Sequence, residues 1–120
     1  MDRITLQERT KLFHIGVIQL CNLLPKNAAG FELAKQLIRS AGSVGANYRA
    51  TKRAKSNNDF VNKMKIIVEE ADESLYWLEI INDTKMIQTD ELQKLLKEAN
   101  ELTAIFVSSL KTLSQTKQRS

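Results

Sequence analysis

The stretch Asn57–Asp83, NNDFVNKMKIIVEEADESLYWLEIIND, decides the fold class. Ser56 lies immediately before it and Asp59 three residues further on, which is the spacing of a capping box at a helix start. Its apolar residues recur at steps of three and four, the period of an amphipathic helix. The core-facing row is Phe60, Met64, Ile67, Ala71, Leu75 and Leu78. We therefore predict a helix over 57–83, about 40 Å long.

Three further helices are predicted around this segment, over about 6–24, 29–54 and 90–113. Pro25 ends the first, because the residue before a proline is pushed out of the helical region. The chain of 120 residues contains one proline and four glycines, too few for the turns of a β-rich fold. Four helices with short connections predict an all-α protein, an antiparallel up-down-up-down four-helix bundle formed by one domain over residues 1–120.

The middle of the second predicted helix has unusually small side chains. Residues 40–46 read Ser-Ala-Gly-Ser-Val-Gly-Ala. A glycine inside a helix costs about 1 kcal/mol relative to alanine, a cost that is tolerated where another backbone comes close. We predict that Gly42, Gly45 and Ala46 form a close-packing surface and belong to an oligomer interface. A locally weakened or kinked helix is the alternative.

A second row of residues follows the third helix beside its core-facing row. It consists of Ile66, Glu70, Glu73, Trp77 and Ile80. Steps of four, three, four and three place these residues on one helix face. Because a core needs only one row, we predict that this face contacts another copy of the chain. Burial of a wide helix face within the chain's own bundle is the alternative.

Positive charge is concentrated in the first half of the chain. Residues 1–60 carry ten Lys/Arg and four Asp/Glu, whereas residues 61–120 carry eight and ten. This balance suits a polyanion such as RNA or DNA, but a solvated surface can have the same composition. The predicted nucleic-acid-binding residues are Lys35, Arg39, Arg49, Lys52 and Arg53. The same cations would equally pair with Glu70, Glu73 and Glu79 of a neighbouring copy.

The sequence lacks the residue groupings of common catalytic and metal centres. His14 and Cys21 are the only histidine and cysteine, so a zinc site of the usual Cys/His kind is excluded. Arg9 and His14 are reminiscent of an Arg and His pair in some helical ribonucleases, but on one helix they would point about 140° apart. We expect no enzyme activity, metal or cofactor. A lone cysteine and the absence of a long apolar run favour a cytoplasmic protein without a membrane segment.

Four motifs stand out in the first three helices. They are RSAGSVGANYR at 39–49, Ser56 with Phe60, EADESLYWLE at 70–79, and Leu24-Pro25-Lys26. Together they resemble the bacterial four-helix bundle proteins of the 23S rRNA intervening-sequence family. Ala50 departs from that family, in which a glutamate often follows the Asn-Tyr-Arg run.

The resemblance implies a four-helix bundle that assembles as a ring, commonly a homopentamer. Some members of the family are encoded inside insertions in ribosomal RNA genes. A related bundle is the basic accessory protein of diversity-generating retroelements, which works with a reverse transcriptase and nucleic acid. Two function classes therefore stay open: a homo-oligomeric adaptor associated with RNA or DNA, and a structural or protein-interaction module whose basic residues serve subunit contacts.

Overall fold

The computed structural model describes residues 4–119, and the side chains of residues 4–114, as an all-helical bundle. Its helices are α1 (Leu6–Cys21), α2 (Ala28–Ala50), α3 (Asn57–Asp83) and α4 (Asp90–Arg119). α1 packs against α2 and α4, and α3 packs against the same two helices. Consecutive helices are therefore neighbours, and α1 and α3 occupy opposite corners. This arrangement confirms the predicted up-down-up-down four-helix bundle.

Polar side chains cap the helix starts. Thr5 and Glu8 form a complete capping box, in which the Thr5 hydroxyl accepts from the Glu8 N–H and the Glu8 carboxylate accepts from the Thr5 N–H. Ser56 Oγ caps α3 by accepting from the N–H of Asp59 at 3.0 Å. The Asp59 carboxylate, however, accepts from the N–H of Lys55 rather than from that of Ser56. The start of α3 thus has the predicted cap but only half of the predicted box.

The connection between α1 and α2 is tighter than predicted. α1 ends at Cys21, before the predicted 24, and the following turn buries Leu24 in the core. Asn27 then caps α2 by accepting from the N–H of Gly30 at 2.9 Å. A Cβ at Gly30 would lie 1.8 Å from the carbonyl oxygen of Pro25. The end of α1 is therefore set by the burial of Leu24 and by this close return of the chain.

The other helix ends differ from prediction in both directions. α2 ends at Ala50, before the predicted 54, and a 3-10 turn over Thr51–Arg53 leads towards α3. α4 continues to Arg119, beyond the predicted 113. α3 has the predicted bounds. The changed end of α2 matters for function, because Lys52 and Arg53 lie in the 3-10 turn rather than on the helix.

The core contains side chains from all four helices. Its fully buried large members include Leu20, Leu37, Ile67, Leu78, Ile81, Leu92, Leu102 and Phe106. Tyr48 packs inward, with its ring centroid 5.5 Å from that of Phe106. Two buried serines lie where α2 meets α3, and their hydroxyl oxygens, Ser40 Oγ and Ser74 Oγ, are 2.8 Å apart. This hydrogen bond lets the two helices pack closely while the buried hydroxyls stay satisfied.

Candidate nucleic-acid and subunit interfaces

All five predicted nucleic-acid-binding residues are exposed. Lys35 and Arg49 project from α2, and Lys52 and Arg53 from the 3-10 turn. Lys52 donates a hydrogen bond to the side-chain oxygen of Gln7 on α1. Among the residues with described side chains, no carboxylate pairs with any of these four cations. The positive charge of these four side chains on α2 and the 3-10 turn is therefore uncompensated.

Arg39, the fifth predicted residue, is held by carboxylates of its own chain. Its guanidinium donates to Glu70 at 2.7 Å and to Glu73 at 2.6 Å. Glu73 also accepts from Nε1 of Trp77 at 3.2 Å. The hydrogen bond from Arg39 lowers the pKa of Glu73, and the bonds to Glu73 and Glu70 raise the pKa of Arg39. One cation against two carboxylates leaves a formal charge of −1, so this group adds no attraction for a polyanion.

The small residues of α2 lie against α1 of the same chain. A Cβ at Gly42 would lie 2.9 Å from Nε2 of His14, and a Cβ at Gly45 would lie 3.5 Å from the carbonyl oxygen of Thr10. Ala46 is exposed next to them. Both glycines therefore lie at the contact between α2 and α1. At Gly42 the close neighbour is the His14 side chain, whereas a Cβ at Gly45 would make only ordinary van der Waals contact with Thr10.

The seam between α1 and α2 opens outward into a cleft of about 460 Å³. Its lining consists of Gln7, Lys11, His14, Gly42, Gly45, Ala46 and Arg49. Lys11 and Arg49 contribute positive charge from the two helices, and no lining residue is acidic. Lys11 was not among the predicted residues, since its position opposite Arg49 depends on how α1 lies along α2.

The second row of α3 is shared between core and solvent. Ile66 is 41% exposed, whereas Trp77 and Ile80 are half-buried. Tyr76, which lies beside this row, is 53% exposed, and its ring packs edge-on against Trp77 with centroids 5.1 Å apart. The two glutamates of the row are the partners of Arg39. We call Ile66, Tyr76, Trp77 and Ile80 the α3 apolar face.

A second apolar face lies on the outer side of α1 and was not predicted. Leu12 is 55% exposed, and Ile15 and Ile18 are each 40% exposed. The signal is present in the sequence, because these residues recur every three positions beside the core row that contains Phe13 and Val17. We call Leu12, Ile15 and Ile18 the α1 apolar face. Since α1 and α3 are at opposite corners, the two apolar faces point away from each other.

The residues considered for catalysis lie apart. Arg9 donates to Glu98 at 2.7 Å and to Glu101 at 2.6 Å, both on α4, whereas His14 lies on the α2 side of α1. The Arg and His of the ribonuclease-like pattern therefore do not share a site. Burial raises the pKa of Cys21 to about 11, which keeps it in the unreactive thiol form. Within the described part of the chain, no three His, Cys, Asp or Glu residues group as metal ligands.

The helices of the described residues include none that is long and apolar enough to cross a membrane. The sequence model of the 23S rRNA-intervening sequence proteins matches residues 3–108 of the chain. The chain belongs to the 23S rRNA-intervening sequence protein family. The matched region of this family member contains the cleft and both apolar faces.

A solved structure supports the same assignment. It is a protein of unknown function from the S23 ribosomal protein family of Bacteroides thetaiotaomicron, and it matches with a TM-score of 0.80 at 30% sequence identity. The match covers 89% of this chain and 99% of that one. A comparison with curated proteins found no match. Membership in the 23S rRNA-intervening sequence family thus confirms the resemblance and the fold, and it assigns neither a reaction nor a ligand.

Proposed function

We propose that this protein is a non-enzymatic, homo-oligomeric bundle that works in the cytoplasm and associates with nucleic acid, RNA in the first place. The observation that supports this function is the set of exposed cations Lys35, Arg49, Lys52 and Arg53, which have no carboxylate partner among the described side chains. Phosphate groups are the natural partners of such cations, because binding releases counterions condensed on the strand.

Negative charge on α3 supports separate surfaces for nucleic acid and for contacts between copies of the chain. Glu69, Asp72 and Glu79 are exposed on α3. Because they repel a polyanion, nucleic acid is directed to the side formed by α1 and α2. The outer side of α3 is then free for contacts between copies of the chain.

Self-association is the second part of the proposal. Clusters of exposed large apolar side chains mark contact surfaces, and the α1 apolar face and the α3 apolar face are two such clusters. Since the faces lie on opposite corners, we propose that the α1 face of one copy packs on the α3 face of the next. Such a head-to-tail contact forms a ring when its rotation closes, and a homopentamer is the form that the family resemblance implies.

The competing function is a structural or protein-interaction module that binds no nucleic acid. The two apolar faces favour it as much as they favour the adaptor, because both functions need contacts between protein chains. The two functions differ in the partner of the exposed cations, which is phosphate in the adaptor and another subunit in the module.

A titration with labelled single-stranded RNA at several salt concentrations tests the proposal. For the wild type, the logarithm of affinity should fall linearly with the logarithm of salt concentration, by about 0.7 per phosphate contact. The double change Arg49→Ala, Arg53→Ala should reduce this slope by about 1.4 for every RNA sequence. The double change Lys94→Ala, Lys97→Ala removes the same charge from exposed positions of α4 and should leave the slope nearly unchanged.

Two results would contradict the adaptor function. The first is a wild-type protein without salt-dependent binding to RNA or DNA at low ionic strength, in which case the interaction module replaces it. The second is a change in oligomer mass, rather than in RNA affinity, when Arg49 and Arg53 are replaced. That result would show that these cations serve contacts between subunits.

A further inference from the structure

The cleft between α1 and α2 combines uncompensated charge with free space. Its volume of about 460 Å³ lies in the range of ligand-binding pockets. Lys11 on α1 and Arg49 on α2 line it, and neither forms an ion pair with a described side chain. By contrast, Arg9 and Arg39 each pair with two glutamates at α1–α4 and α2–α3 contacts. Cations therefore stay available to a ligand at the α1–α2 contact, whereas Arg9 and Arg39 are already paired at the other two contacts.

The α2 residues at the floor of the cleft have small side chains. They are Gly42, Gly45 and Ala46; His14 and Thr10 of α1 lie against the two glycines, so Ala46 is the position left exposed to a ligand. His14 and Gln7 add polar atoms from α1. Gln7 is also the hydrogen-bond partner of Lys52, which brings a third cation to this end of the cleft.

We propose that the cleft seats phosphodiester groups of a single nucleic-acid strand, with Lys11 and Arg49 contacting the phosphate oxygens from its two sides. The proposal rests on the proposed function and adds to it a path for the strand along the α1–α2 seam. Both cations can donate charge-assisted hydrogen bonds to phosphate, and Arg49 can do so through two parallel N–H groups. No Phe, Tyr or Trp lines the cleft, so binding is expected to depend mainly on the backbone of the strand rather than on its bases.

Two substitutions in the cleft test this path, each with a matched control. Lys11→Gln removes one cleft cation, and its control, Lys26→Gln, removes an exposed cation near the opposite end of the α1–α2 pair. Ala46→Leu fills the cleft without changing charge, and its control, Ala104→Leu, makes the same change at an exposed position of α4. Affinity for labelled single-stranded uridine RNA should fall about tenfold with each cleft variant. With each control variant, the affinity should stay within about twofold of the wild-type value.

The slope of affinity against salt concentration distinguishes the two cleft variants, because only Lys11→Gln removes a charge. Lys11→Gln should lower the slope by about 0.7, the value of one phosphate contact on a single strand, relative to Lys26→Gln. Helicity and oligomer mass, measured in parallel by circular dichroism and light scattering, should match the wild type for all four variants.

The possible failures have different meanings. If Arg49 and Arg53 are needed for RNA binding while both cleft variants behave like their controls, the strand does not enter the cleft and the proposed function stands. If the wild type binds no RNA, both proposals fail. If uridine monophosphate binds the cleft as tightly as the strand, the ligand is a free phosphate compound. If Lys11→Gln changes the oligomer mass instead, the cleft receives another copy of the chain.

Discussion

Lys85 occupies the backbone position that ends α3, and its φ of 56° is left-handed. Its N–H donates to the carbonyl of Asn82 at 3.1 Å, and the N–H of Met86 donates to that of Ile81 at 3.2 Å, the bonding pattern of a Schellman motif. Because glycine lacks the Cβ that strains this conformation, Lys85→Gly should stabilise the protein by about 1 kcal/mol in urea unfolding. Lys97→Gly, at an exposed position inside α4, should instead destabilise it by about 1 kcal/mol. Equal losses in the two variants would contradict the prediction.

Gly30 and Gly16 offer a second test at the scale of single residues. A Cβ at Gly30 would lie 1.8 Å from the backbone oxygen of Pro25, whereas a Cβ at Gly16 would lie 3.1 Å from the flexible end of Leu95. Gly30→Ala must therefore move backbone and should cost about 1–3 kcal/mol. Gly16→Ala should be close to neutral, because the gain in helix propensity of about 1 kcal/mol offsets a small shift of Leu95. Thermal unfolding of both variants checks the order, and a stable Gly30→Ala protein would contradict it.

At the scale of helices, the link between α2 and α3 should make stability depend on pH. Arg39 lowers the pKa of Glu73 by hydrogen bonding, so the folded protein keeps this carboxylate ionised at pH values where the unfolded chain protonates it. The stabilisation is complete above the ordinary glutamate pKa of about 4.3. It is lost as the pH falls through the lower, folded value. Since the side chain of Arg39 is 50% exposed, the ion pair between Arg39 and Glu73 stabilises the folded protein at neutral pH by at most about 1 kcal/mol.

Replacement of Arg39 tests this linkage. In Arg39→Gln, the free energy of unfolding should decline less steeply than in the wild type as the pH is lowered from 6 towards and below about 4.3. Arg53→Gln removes an equal charge that has no described carboxylate partner, so its pH profile should run parallel to that of the wild type. A parallel profile for Arg39→Gln as well would show that the pair does not form in solution.

The helices that could be predicted are those specified by nearby residues. α3 has a cap at Ser56 and an uninterrupted apolar period, and both signals act within a few residues. The end of α1 was placed too late, because it depends on the tertiary contacts that bury Leu24 in the core. A search along the sequence for breakers such as proline does not detect them.

The site was predictable to a similar extent. Composition and helix spacing indicated the cations of α2, but the pairing of Arg39 joins residues more than thirty positions apart. Likewise, the glycines predicted a close helix contact without identifying α1 as its partner. Residue spacing reports which side chains share a face of one helix. It does not report which face of another helix lies opposite. For this reason Lys11, which lines the same cleft as Arg49, was not predicted.

At the scale of the whole molecule, the proposed assembly predicts a mass of several times 13.6 kDa in light scattering at micromolar concentration. Ile15→Lys on the α1 apolar face and Ile66→Lys on the α3 apolar face should each give a helical monomer, because a buried, unpaired charge opposes the contact. Ile66 is a cleaner probe than Trp77, which also packs on the core of its own chain. A wild-type monomer would contradict the proposal for self-association.

A mixture of the two monomeric variants distinguishes a head-to-tail assembly from a symmetric one. The Ile15→Lys protein keeps an intact α3 apolar face, and the Ile66→Lys protein keeps an intact α1 apolar face. If the α1 face of one copy packs on the α3 face of the next, the two variants can pair once and cannot extend further. The mixture should then contain a species of twice 13.6 kDa that neither variant forms alone. If instead either variant dimerises by itself, like faces meet across a twofold axis. A mixture that stays monomeric would mean that the two faces have other partners.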